Sequence, residues 1–289
     1  MTSARPVLIS AVPTPFDDEE RFSASAFAAL LTRLDGAGID AVFVAGTTGE
    51  FTALDDDERI ETFAIALDVF GSSRVFAHVG APSAYQAERL TRKARAAGAE
   101  RLAAVTPFFH SAPPEQILDY YRRIVEASEG AEVYAYLFRQ RTTTVSPPSL
   151  LPRLADIGVA GVKISGESDS SVQAFLRHAP EGFRLYSGND TSLRWLLEQG
   201  GAGIVSGVSS AFPEPFVRLR EALKTGDRDG IVVAERIVSR AVAAVRAGNV
   251  GHLKAAITAR GIAVGHVRTA TEPVPADDER ELIELALRV

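Results

Sequence analysis

Val159-Ala160-Gly161-Val162-Lys163-Ile164-Ser165 sets a lysine inside a short apolar run of β-forming residues. Only four of the chain's 31 basic residues are lysine, so its positive charge is carried almost wholly by arginine. The other three, Lys93, Lys224 and Lys254, sit in polar, Ala- and Arg-rich stretches that read as solvated helix faces. An ammonium taken out of water is costly unless it is paired or gives up its proton. A deprotonated lysine is what a Schiff-base nucleophile requires. The other reading of Lys163 is a strand-end lysine whose stem packs while its head reaches water.

The run around Lys163 is the sixth of eight. Short β-rich segments at Pro6–Val12, Ala41–Ala45, Arg74–Val79, Arg101–Thr106, Glu132–Leu137, Val159–Ile164, Arg184–Ser187 and Gly203–Ser206 alternate with amphipathic stretches. The helical patterns lie at Ser23–Ala37, Asp56–Phe70, Ala84–Ala97, Pro114–Ser128, Pro147–Asp156, Ser170–Ala179, Ser192–Gln199 and Pro213–Thr225. Glycines after the first three and Pro113-Pro114 before the fourth punctuate them as helices. Apolar strands that each precede a helix predict a parallel sheet covered by helices. Eight units predict a (β/α)8 TIM barrel over residues 1–227, with a doubly wound open sheet as the alternative. Residues 228–289 read as a C-terminal helical subdomain packed on the barrel. Pro273 and Pro275 mark a break before a last helix at Asp277–Arg288.

The 289 residues, 46% hydrophobic and 24% charged, suit a well-cored soluble enzyme. A formal charge of −6 with no basic block speaks against nucleic-acid binding. Without cysteine, thiolate catalysis and Cys-zinc sites are excluded. No run approaches the roughly twenty apolar residues of a membrane span, and the start lacks a signal pattern. A cytoplasmic location is the expectation.

Chemistry in a barrel collects at the C-terminal ends of the strands. After the second strand, Gly46-Thr47-Thr48-Gly49-Glu50 offers a tight turn with exposed N–H groups and two hydroxyls, suited to a small carboxylate or to nothing more than a turn. On the fifth strand, alternation puts Tyr134 and Tyr136 on one face, Tyr136 nearer the strand end. Its phenol is either a proton relay or a core tyrosine bonded elsewhere. Arg139 and Arg141 read as loop charges or as grips for a substrate carboxylate. The five histidines are scattered without metal-ligand spacing. Glu50 reads as a hydrogen-bonding support or as a base. A nucleophilic lysine, a phenol and a carboxylate-holding turn make a minimal site for imine chemistry on a 2-keto acid, with neither cofactor nor metal.

In order along the chain come Val12-Pro13-Thr14-Pro15-Phe16, Gly46–Glu50, Val105-Thr106-Pro107-Phe108-Phe109, Tyr136 with Arg141-Thr142, Gly161-Val162-Lys163, Ser187-Gly188-Asn189-Asp190 and Gly200–Ser206. With this set the chain resembles the dihydrodipicolinate synthase / N-acetylneuraminate lyase family of pyruvate-dependent class I aldolases. The resemblance implies that Lys163 forms the imine with pyruvate and that Tyr136 relays protons with Thr47 as hydroxyl partner. It implies that Thr47 and Thr48 hold the pyruvate carboxylate and that Val205 and Gly188 line the substrate pocket. Arg141 stands where the synthases bind the carboxylate of aspartate semialdehyde. A cytoplasmic homotetramer, a dimer of dimers, is also implied.

The chain departs from that pattern in three places. Tyr136-Leu137-Phe138-Arg139 replaces the usual Tyr-Asn-x-Pro. Phe109 replaces a tyrosine that completes the relay across a subunit interface. Phe51 and Asp55-Asp56-Asp57 differ from the residues that bind lysine in feedback-inhibited synthases. The expected function is therefore a Schiff-base lyase that condenses pyruvate with an aldehyde, closest to the synthase. A 2-keto-acid aldolase or dehydratase acting on sugar acids, a non-catalytic keto-acid-binding paralogue and a phosphosugar-binding barrel are the alternatives.

Overall fold

The computed structural model describes residues 6–286 and 288. Eight strands, β1 (Val7–Ala11), β2 (Ala41–Val44), β3 (Val75–His78), β4 (Arg101–Val105), β5 (Glu132–Leu137), β6 (Val159–Ile164), β7 (Arg184–Ser187) and β8 (Gly203–Ser206), follow one another in chain order around a closed barrel. This is the TIM barrel expected from the alternation, with helices in its C-terminal stretch. The strands are buried on both faces, as a helix-covered parallel sheet requires, so they read as apolar runs rather than as an alternation.

Helices α1 (Ala24–Gly36), α2 (Asp56–Phe70), α3 (Ala84–Ala96) and α4 (Pro114–Ala127) follow the first four strands. A single turn, α5 (Arg139–Thr142), then α6 (Leu150–Asp156), α7 (Asp169–His178) and α8 (Leu193–Glu198) follow the next three. After β8 come the turn α9 (Val208–Ala211) and helices α10 (Pro213–Thr225), α11 (Arg228–Ala244), α12 (Val250–Ala259) and α13 (Ala276–Ala286). Local sequence explains the ends. Asp55 accepts from the Glu58 amide while the Glu58 side chain returns to the Asp55 amide, a capping box that starts α2. The acidic Asp55–Asp57 run is thereby a helix start. Helix α6 begins at Leu150 rather than at Pro147, because the adjacent Pro147 and Pro148 lack the amide protons and the preceding-residue freedom that a helical turn uses.

The chain divides into two compact units, one holding the segment up to Arg74 and that from Ser206 onward, the other Val75–Val205. In the second unit the rings of Phe76, Tyr134 and Tyr186 meet at 4.9–6.1 Å. Glu132 there joins Arg101 and Arg184 at 3.0 and 2.5 Å and accepts the Tyr134 hydroxyl at 2.8 Å. Burial and this carboxylate hold the Tyr134 phenol well above its usual range. Tyr134 is thus a core tyrosine, its hydroxyl spent on structure.

Candidate active site

Lys163 is the penultimate residue of β6 and is buried, with 7% of the residue exposed. Its register partner across the ladder is Tyr136 on β5, and its Nζ stands 4.1 Å from the centre of the Tyr136 ring. An amine over a phenol face is an attractive contact that also keeps the nitrogen's approach fixed. The Tyr136 ring is itself held, stacked on Phe138 at 6.0 Å and edge-on to His78 at 6.2 Å. His78 is fully buried and its Nε2 accepts the Val105 amide at 3.1 Å, which makes it a structural residue.

The loops beyond these strand ends are tied by Thr106 and Thr142, quoted above without a role, and by Thr144, which the sequence reading did not single out. The Thr106 hydroxyl meets that of Thr142 at 3.2 Å, and Thr142 donates to the Phe138 carbonyl at 3.1 Å. Thr144 donates to the Pro107 carbonyl and accepts the Ala112 amide. The β4 and β5 loops are therefore one hydrogen-bonded body, and the run Thr142-Thr143-Thr144 was the available signal. Beside β6, Gly188 donates to the Ile164 carbonyl at 2.7 Å, and a Cβ at 188 would run into the Ser165 hydroxyl. Val205 is buried near the end of β8. Arg139 and Arg141 on α5 are exposed, and neither guanidinium has a partner among the described residues. Phe109, 83% exposed with φ +74°, holds a strained conformation for an aromatic residue.

Thr47 and Thr48 belong to the other unit. Their turn is bracketed by two non-glycine residues in the left-handed region, Ala45 at φ +49° and Glu50 at φ +55°. It closes through Glu50 N–H to the Thr47 carbonyl and Phe51 N–H to the Gly46 carbonyl, and the Thr14 hydroxyl holds the Gly49 carbonyl at 2.7 Å. Gly49 fits because a Cβ would press on the Ala45 backbone and the Val12 carbonyl.

Glu50 is 2% exposed. Its Oε2 accepts the Thr269 amide and hydroxyl at 2.9 and 3.0 Å, and its Oε1 lies 2.8 Å from Lys254 Nζ. It is a support, not a base presented to solvent. Lys254 corrects the sequence reading: it is no solvated helix residue but 2% exposed, 4.2 Å from the Phe16 ring centre and bonded to the His266 carbonyl at 2.5 Å. Burial pulls its ammonium below the ordinary lysine value while Glu50 pushes back. Leu253 and Ala255-Ala256-Ile257 beside it were the overlooked apolar signal. Lys93 is half-buried, and Lys224 is exposed as expected.

Residues 6–287 match the model of the dihydrodipicolinate synthetase family. The chain belongs to that family. An uncharacterised DapA-like lyase of Halobacterium salinarum is 32% identical over 287 residues, covering 97% of this chain and 94% of that one. The fold is that of a dihydrodipicolinate synthase from Bacillus anthracis, with TM-score 0.91 at 21% identity over 99% of this chain and 98% of the other. It is also that of a variant 2-keto-3-deoxygluconate aldolase from Sulfolobus solfataricus, with TM-score 0.88 at 22% identity over 98% and 96%. The dihydrodipicolinate synthetase family member described here is accordingly an enzyme, a class I lyase.

Proposed function

We propose that Lys163 condenses with pyruvate or a related 2-keto acid and passes the resulting enamine to an aldehyde, or releases it by the reverse cleavage. The observation that carries this reading is the Nζ of the buried residue Lys163, 4.1 Å from the centre of the Tyr136 ring. The amine adds to the keto carbon, and loss of water gives the imine. A proton leaves the adjacent methyl to give the enamine, whose carbon attacks the aldehyde; hydrolysis then returns the free lysine. Tyr136 moves the protons with Thr47 as hydroxyl partner, Thr47 and Thr48 take the keto-acid carboxylate, and Val205 and Gly188 line its pocket. The fold is one that hosts many chemistries, so the site must carry the assignment.

Aspartate semialdehyde is the first-choice aldehyde, because the exposed Arg141 guanidinium, without a partner among the described residues, suits a second carboxylate. A sugar-acid substrate is the second reading, favoured by Leu137 and Arg139 in place of the synthase residues and by Phe109 in place of the relay tyrosine. A cytoplasmic homotetramer fits the exposed Phe109, which would give a neighbour an apolar contact. Borohydride reduction with pyruvate followed by peptide mass spectrometry tests the core claim. An adduct at Lys163 is expected; no adduct, or one elsewhere, ends it. Turnover of a panel of aldehydes, with Arg141→Ala alongside, separates the two substrate classes.

A further inference from the structure

Lys254 and Glu50 lie in a setting that the imine chemistry leaves unused. Both are nearly fully buried, and the pair joins α12 to the end of the Gly46–Glu50 turn. Glu50 itself has left-handed backbone, which is strained for a non-glycine residue and persists only where surroundings enforce it. Those surroundings are Lys254 on one carboxylate oxygen and the Thr269 amide and hydroxyl on the other. Lys254 is in turn fixed by the Phe16 ring and the His266 carbonyl. Phe16 ends the segment whose Thr14 holds the Gly49 carbonyl. Every tie therefore ends on the short loop that presents Thr47 and Thr48.

We infer that Lys254 and Glu50 are positioning residues, a buried ion pair that locks the threonine turn in the strained form able to receive a carboxylate. They touch no substrate and act through the backbone of residues 46–50. The consequence for keto-acid binding rests on the function proposed above; the consequence for the turn does not.

Two measurements on the full chain decide it. The double variant Glu50→Gln/Lys254→Met removes both charges at near-constant size, so no lone buried charge remains to unfold it. In hydrogen exchange without ligand, amides 46–51 are expected to exchange about tenfold faster than in the native enzyme, with β5–β8 unchanged. In borohydride trapping, half-saturating pyruvate is expected to rise about tenfold while trapping at saturation stays within about threefold. Lys254→Arg keeps the charge, and the adjoining cavity of about 590 Å³, lined by Lys254, His266, Val267 and Val274, leaves it room; it is expected to behave as native on both readouts.

Unchanged exchange at 46–51 overturns the positioning role whatever trapping shows. Faster exchange with unchanged half-saturation overturns the link to keto-acid binding. An arginine variant no better than the methionine one overturns the role of the charge. Absence of an adduct in the native enzyme defeats the proposed function instead, and exchange at the turn then decides positioning by itself.

Discussion

Lys163 and Lys254 are both buried, and both stand over an aromatic ring, at 4.1 Å from the centre of Tyr136 and 4.2 Å from that of Phe16. Lys254 has a carboxylate 2.8 Å from its ammonium and donates a hydrogen bond to the His266 carbonyl. Lys163 stands at a strand end over a phenol; Lys254 stands mid-helix beside a glutamate over a plain phenyl ring. Burial of a lysine therefore does not identify a nucleophile. A carboxylate beside the nitrogen, as at Lys254, holds the proton that a nucleophile must lose.

The sharpest way to break this comparison is to remove each amine. Lys163→Ala is expected to lower turnover by about 10⁴-fold or more and to abolish reductive trapping, whereas Lys254→Met still gives an adduct at Lys163 in the folded fraction. An adduct on Lys254 in the native enzyme would reverse the assignment.

Stability should move the other way. Lys254→Met strands the Glu50 carboxylate and is expected to cost about 3–5 kcal/mol by urea unfolding, most of it recovered when Glu50→Gln is added. Equal costs for the single and double variants would show that the two charges are not coupled.

The rings come next. Tyr136→Phe keeps the face under Lys163 and removes only the hydroxyl. Its steady-state turnover is expected to fall about 10²-fold with unfolding unchanged. Phe16→Leu is expected to cost stability and leave maximal trapping intact.

The smallest effect concerns acid. Arg268 also lies over Phe16, at 4.0 Å, and its bond to Glu58, 2.7 Å long, holds that carboxyl below its usual range. A depressed carboxyl adds stability that is complete above the unfolded value of about 4.3 and fades as pH falls through the lower folded value. Glu58→Gln is therefore expected to cost about 1 kcal/mol at pH 7, the gap from the native enzyme closing toward acid pH in unfolding curves. A gap constant with pH would mean that the bond to Arg268 carries no charge contribution.

Strands β5, β6, β7 and β8 begin and end where their apolar runs do, because a strand buried on both faces writes its limits into local composition. The single turns α5 and α9 were not legible, since four residues are too few to show a helical period. The pairing of Lys163 with Tyr136 was legible only as two strand ends; the register that makes them partners came from the ladder. Lys254 was misread because helix periodicity tells one face from another only where the opposite face is wet, and α12 is covered nearly all round.

By itself the sequence determined the count and order of the strands, the strand end that bears Lys163 and the turn that bears Thr47 and Thr48, because these depend on residues adjacent in the chain. The tertiary structure alone decided that Glu50 meets Lys254 and Thr269 and that Arg268 meets Glu58. Those contacts span about 200 residues of chain, and no local pattern records which distant group folding will bring to a buried charge.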